Sequence, residues 1–128
     1  MQTCKAIVLA VASTLLLTAV ASAAEFFTPA ILISAISEDS VQCQLVNVSA
    51  QSRTVSIELI NESGVVILSG SPIVVAPGHV VLAGGGGQQV AGRFIYCHFT
   101  VEGVKGNYRG AITRNNNLTG HILSLPAE

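Results

Sequence analysis

Each of two cysteines sits in an apolar run of period two, and both runs turn their cysteine to the apolar side. In VQCQLVN, residues 41 to 47, Val41, Cys43 and Leu45 form one row and Gln42 and Gln44 the other. In RFIYCHFTVEG, residues 93 to 103, Ile95, Cys97, Phe99 and Val101 alternate with Phe94, Tyr96, His98, Thr100 and Glu102. Successive side chains of a strand point to opposite faces, so Cys43 and Cys97 are expected inside and His98 outside. The same parity argues against a thiolate and imidazolium pair, because Cys97 and His98 cannot easily share a face.

The N-terminus supplies the redox context. It carries one charge at Lys5, an apolar run from Ala6 to Val20, and the small triplet Ala21, Ser22, Ala23, the pattern of a cleaved secretory signal peptide over 1–23. The run of about 15 residues is short of the roughly 20 that a spanning helix needs, so no stable membrane span is expected after cleavage. Cys4 leaves with the leader, and a secreted domain over 24–128 keeps only Cys43 and Cys97, which are expected to be oxidised to a disulfide. The closed loop of about 54 residues is worth roughly 4 kcal/mol in the chain-entropy description.

Period-two spacing continues along the chain, with turns at NESG (61–64), SP (71–72) and APGH (76–79). Strands are expected near 30–36, 41–48, 53–60, 64–69, 73–75, 79–83, 93–102, 107–113 and 119–125. Seven to nine short strands at that spacing predict an all-β, antiparallel immunoglobulin-like β-sandwich. The bridge from an early to a late strand resembles immunoglobulin-type architecture, although the chain has no Trp and places Ile95, not Tyr, two residues before the later cysteine. GGGG at 84–87 reads as a flexible connection. GVKG at 103–106 reads as a tight turn, which sets Thr100 against Arg109, His98 against Ala111 and Tyr96 against Thr113.

That register predicts an outer patch of Phe94, Tyr96, His98 and Arg109, residue types enriched where proteins bind. The competing expectation is that a loop or the N-terminal segment covers these rings. Motifs for chemistry are lacking: His79, His98 and His121 fall in separate segments without ligand spacing, the only Met is Met1, and no nucleophile-elbow pattern occurs. Glu38 and Asp39 are expected as solvated charges in a turn. No catalytic residue, metal or other cofactor is therefore assigned. Three N-x-[ST] triplets begin at Asn47, Asn61 and Asn117; the last two lie in turn-like stretches where a glycan has room, but chance occurrence is the favoured reading, since Ser, Thr and Asn are plentiful in exposed β turns.

Without Lys5 the formal charge is 5 − 7 = −2, which offers nucleic acid no basic field. The expectation is a secreted, periplasmic or extracellular, non-catalytic module that binds a protein or glycan partner. Self-association through FFTPAILISAI as an exchanged strand is its assembling variant. The alternative is a small secreted hydrolase whose site assembles only in the fold, which requires a His within hydrogen-bond reach of both a Ser and a carboxylate.

Overall fold

The computed structural model describes residues 22–34 and 39–128. The chain is all-β, with two antiparallel sheets packed as a sandwich. The expected leader lies almost wholly outside the described residues, which take in only its last two, Ser22 and Ala23. The strands are β1 (Ala23–Phe27), β2 (Ile31–Leu32), β3 (Asp39–Asn47), β4 (Arg53–Asn61), β5 (Val66–Ser69), β6 (Ile73–Val75), β7 (Val80–Gly86), β8 (Phe94–Glu102), β9 (Tyr108–Asn116) and β10 (Ile122–Pro126). One sheet runs β1-β8-β4-β5, with β2 also on β8 and β6 also on β4; the other runs β10-β9-β3-β7.

The rows read from parity form the core. Val41, Cys43 and Leu45 of β3, Val55, Ile57 and Leu59 of β4, and Ile95, Cys97, Phe99 and Val101 of β8 are all buried. Their burial removes apolar surface from water at about 25 cal/mol per Å², the main force holding the two sheets together. Cys43 and Cys97 face each other across the layers with Cα atoms 5.9 Å apart and sulfurs at disulfide distance. Phe99 stacks on Phe26 of β1 at 5.0 Å between ring centres.

Three expectations need correction. The strand expected over 30–36 is described only as Ile31–Leu32, residues 35 and 36 lying outside the described residues, and an unexpected strand, β1, precedes it across Pro29, which has no amide to give a ladder. Thr28 bridges the gap: its amide donates to Cys97 O at 3.0 Å and its hydroxyl accepts from Cys97 N at 2.9 Å. The glycine run is not a linker either. Gly84, Gly85 and Gly86 pair with Gln42, Val41 and Ser40, and a Cβ on Gly84 would lie 2.8 Å from Val41 O, so the missing side chain is what lets β7 approach β3.

The third correction concerns β8 and β9, which do not form a hairpin. The chain crosses between sheets at 103–107, and β9 pairs with β3, Arg109 opposite Val46 and Ile112 opposite Cys43. Tyr108 pins the corner: its buried ring sends the hydroxyl to Glu102 O, six residues upstream, at 2.6 Å. Burial pushes that hydroxyl above the ordinary phenol range. The tyrosine so anchors β9 where the chain changes sheets. Gly110 completes the crossing, since a Cβ there would meet the rings of Phe26 and Phe99 at 3.0 Å each.

Candidate functional site

β8 lies between β1 and β4, and its even residues face outward at the centre of their sheet. Phe94 is 49% exposed, whereas Tyr96 and His98 are half-buried. The N-terminal strand accounts for the difference. Phe27 sits opposite His98 and stacks on its imidazole at 4.6 Å with 9° between planes, and its ring also lies 6.3 Å from Tyr96. Phe27 is itself 46% exposed, and Leu32, opposite Phe94, is 47% exposed. The face therefore presents a row of open apolar groups, Leu32, Phe94 and Phe27, with Tyr96 beneath.

Arg109 does not belong to this face. It stands on the other sheet, where its guanidinium donates to the carbonyls of Gly106 and Tyr108 at 3.2 and 2.7 Å. Its assignment depended on the β8–β9 hairpin, and it leaves the patch with that hairpin. The true neighbours of the stripe come from β4 and β1: Ile60 opposite Tyr96, Glu58 opposite His98 and Ser56 opposite Thr100, with Glu25 also opposite Thr100.

Those neighbours place a carboxylate at each ring nitrogen of His98. Nδ1 is 3.0 Å from Glu58 Oε2, and Nε2 is 3.7 Å from Glu25 Oε2. Ser69 of β5 donates to the other Glu58 oxygen at 3.2 Å. Neither glutamate stood out in the sequence. Glu58 was visible only as a polar residue between Ile57 and Leu59, and its partner depends on which strand lies beside β8.

A second polar cluster departs from expectation. Asp39 opens β3 and is buried, not a solvated turn charge, while Glu38 lies outside the described residues. It accepts from Ser34 N at 3.0 Å and Asn116 Nδ2 at 2.7 Å, with Arg114 Nε at 3.6 Å. Hydrogen bonding from Ser34, with Arg114 and Asn116, holds its carboxyl below the ordinary carboxylate range against the opposing effect of burial. A carboxyl lowered in the folded state stabilises the fold above its unfolded value, near 3.9, and that contribution disappears as pH falls through the folded value. Asp39→Asn is therefore expected to cost about 2 kcal/mol at pH 7 and progressively less below pH 4, read by urea melts across pH. Arg114 also donates to Leu32 O at 2.8 Å, so the cluster ties the second sheet to β2. These contacts are structural.

The sequon asparagines separate by burial. Asn47 is buried and donates to Gln51 O and Val75 O at 2.8 Å each. Asn61 is buried too, accepting from the amides of Ser63 and Val65, so the room expected for a glycan there is absent. Asn117 is exposed in the β9–β10 turn. Among the described residues no group of three or more His, Cys, Asp or Glu is placed to hold a metal ion, and no helix is long and apolar enough to cross a membrane.

No family model matches the chain, and no curated protein matches its sequence. Among solved structures it is similar to one titled as the crystal structure of Thermotoga maritima 1070, with a TM-score of 0.55 and 10% identity over 81% of this chain and 91% of that one. At that identity the likeness concerns the fold alone.

Proposed function

We propose that this chain is a secreted, non-catalytic β-sandwich that binds a protein or glycan partner through the outer face of the β1-β8-β4-β5 sheet. The observation that carries the reading is the open row of Leu32, Phe94 and Phe27, apolar groups of which two are aromatic, on a sheet whose inner face is already filled. Aromatic anchors beside hydrogen-bonding carboxylates suit either partner class. The hydrolase reading has less support. His98 has carboxylates at both nitrogens and no hydroxyl, and Ser69 bonds the same carboxylate as His98, so the imidazole does not stand between nucleophile and acid.

In this reading residues 1–23 are a leader, and the oxidising compartment it implies joins Cys43 to Cys97. The architecture is an immunoglobulin relative with its first and last strands exchanged. β3 lies beside β7 and β4 beside β8, as B lies beside E and C beside F, and the cysteines join β3 to β8 as they join B to F. β1, however, takes the place beside β8 where the last strand is usual, and β9 takes the place beside β3 of the first.

Phe94→Ala is the direct test, because an exposed ring contributes little to folding. Its stability is expected to stay within about 0.5 kcal/mol of the wild type, while capture of partner from the native secreted fraction, or of glycans on an array, falls about tenfold or more. Tyr96→Ala is a poorer probe, since its half-buried ring loses packing as well as contact. Unchanged capture by Phe94→Ala and by Phe27→Ala together would remove this face from consideration.

A further inference from the structure

We propose that His98 is a proton-operated clasp that fastens the N-terminal strand β1 to the centre of its sheet. The inference starts from the inventory of donors. A carboxylate only accepts, so the 3.0 Å contact between His98 Nδ1 and Glu58 Oε2 requires the hydrogen of a neutral imidazole to sit on Nδ1. Nε2 then carries a bare lone pair. It is buried, has no hydrogen-bond partner, and faces the Glu25 carboxylate at 3.7 Å, acceptor against acceptor. Adding one proton turns that opposition into an N–H aimed at Glu25, and the imidazolium then lies between two carboxylates from two different strands.

The clasp joins three strands in a row. Glu58 reaches the ring from β4, Glu25 and the covering Phe27 from β1, and the same-face neighbours on β8 itself are Tyr96 and Thr100. The charged groups that face the ring are Glu25 and Glu58. Glu58 is held in place by Ser69 whether or not the proton is present, so the contact that changes is the one to β1. β1 has its ladder to β8 along one edge and, among the described residues, no ladder on the other, where Phe27 O accepts a single bond from Glu128 N at 3.1 Å. A terminal strand with a ladder along one edge opens more readily than a central one, and a single added bond alters its opening measurably.

The proton therefore regulates how firmly β1 sits, and with it the position of Phe27. This holds whether or not the outer face binds a partner. The test is hydrogen exchange followed by mass spectrometry on the N-terminal peptide of the exported protein, covering residues 24–27, at pH 8 and pH 5.5, corrected for intrinsic exchange. Protection in the wild type is expected to rise roughly tenfold at the lower pH, the equivalent of one charge-assisted hydrogen bond. Glu25→Gln gives the decisive comparison: its amide donates to the bare Nε2, so protection should already be high at pH 8 and should not rise at pH 5.5. Glu25 is largely exposed, so this variant keeps the core intact. His98→Gln should likewise lose the pH response. A wild-type protection that does not change with pH, or a rise that persists unaltered in Glu25→Gln, overturns the clasp.

Discussion

Cys97→Ala lowers the stability of the domain by about 4 kcal/mol, Cys43→Ala lowers it by a similar amount, and the double variant is no less stable than either. The magnitude follows from the sequence separation of 54 residues between the two sulfurs, which one bond removes from the conformational freedom of the unfolded chain. Both cysteines are fully buried, in β3 of one sheet and β8 of the other, so the bond crosses the centre of the sandwich. Urea denaturation of the three variants under oxidising conditions decides the point. Additive losses would mean two independent thiols, and a chelator should leave every melt where it was. Since a domain of this size has only some 5–15 kcal/mol to lose, the single variants are expected to melt well below the wild type.

Phe99→Ala is expected to cost a further class of stability, about 3–5 kcal/mol, through the cavity it leaves. Phe99 is the largest of the fully buried side chains, and its ring has two specific neighbours, Phe26 stacked on it and Gly110 against its edge. The same geometry predicts how a second substitution behaves. Gly110→Ala in the wild type drives its new methyl into both rings, whereas in the Phe99→Ala background one ring is gone and the methyl enters part of the hole. The two changes should therefore be non-additive, the double variant being more stable than the sum of the singles by roughly 1 kcal/mol. Thermal melts of the four proteins supply the cycle, and strict additivity would mean that β9 does not pass over these rings.

What was legible in the sequence was parity. The inward rows around Cys43, Ile57 and Cys97 alternate with polar residues over long strands, and burial follows that alternation residue by residue. What was not legible was adjacency. Residues 103–107 are short enough for a hairpin and long enough for a crossing, and both keep Val101 and Ile112 inside. Tyr108 and Gly110 decide between them, but only through contacts with Glu102, Phe26 and Phe99 that presuppose the answer. The outer face inherited the error: parity placed Phe94, Tyr96 and His98 together correctly, whereas Arg109 came from the assumed neighbour and Glu25, Phe27 and Glu58 from the actual ones. The glycine run failed for a different reason, since a residue without a side chain reads as freedom until a second backbone is known to lie within reach of it.

The seating of β1 on β8 fixes a sequence of events in time. Phe27 pairs with His98 and Ala23 with Glu102, so more than half the chain separates the two strands. Non-local pairing of this kind slows folding toward milliseconds to seconds, because the long loop must close before its contacts repay the closure. During synthesis β1 emerges well before β8 and has no partner until β8 follows, leaving Phe26 and the apolar residues Ile31 and Ile33 uncovered for most of that interval. This early segment is thus among the last to find its place, and whatever escorts the nascent chain must shield it until β8 emerges.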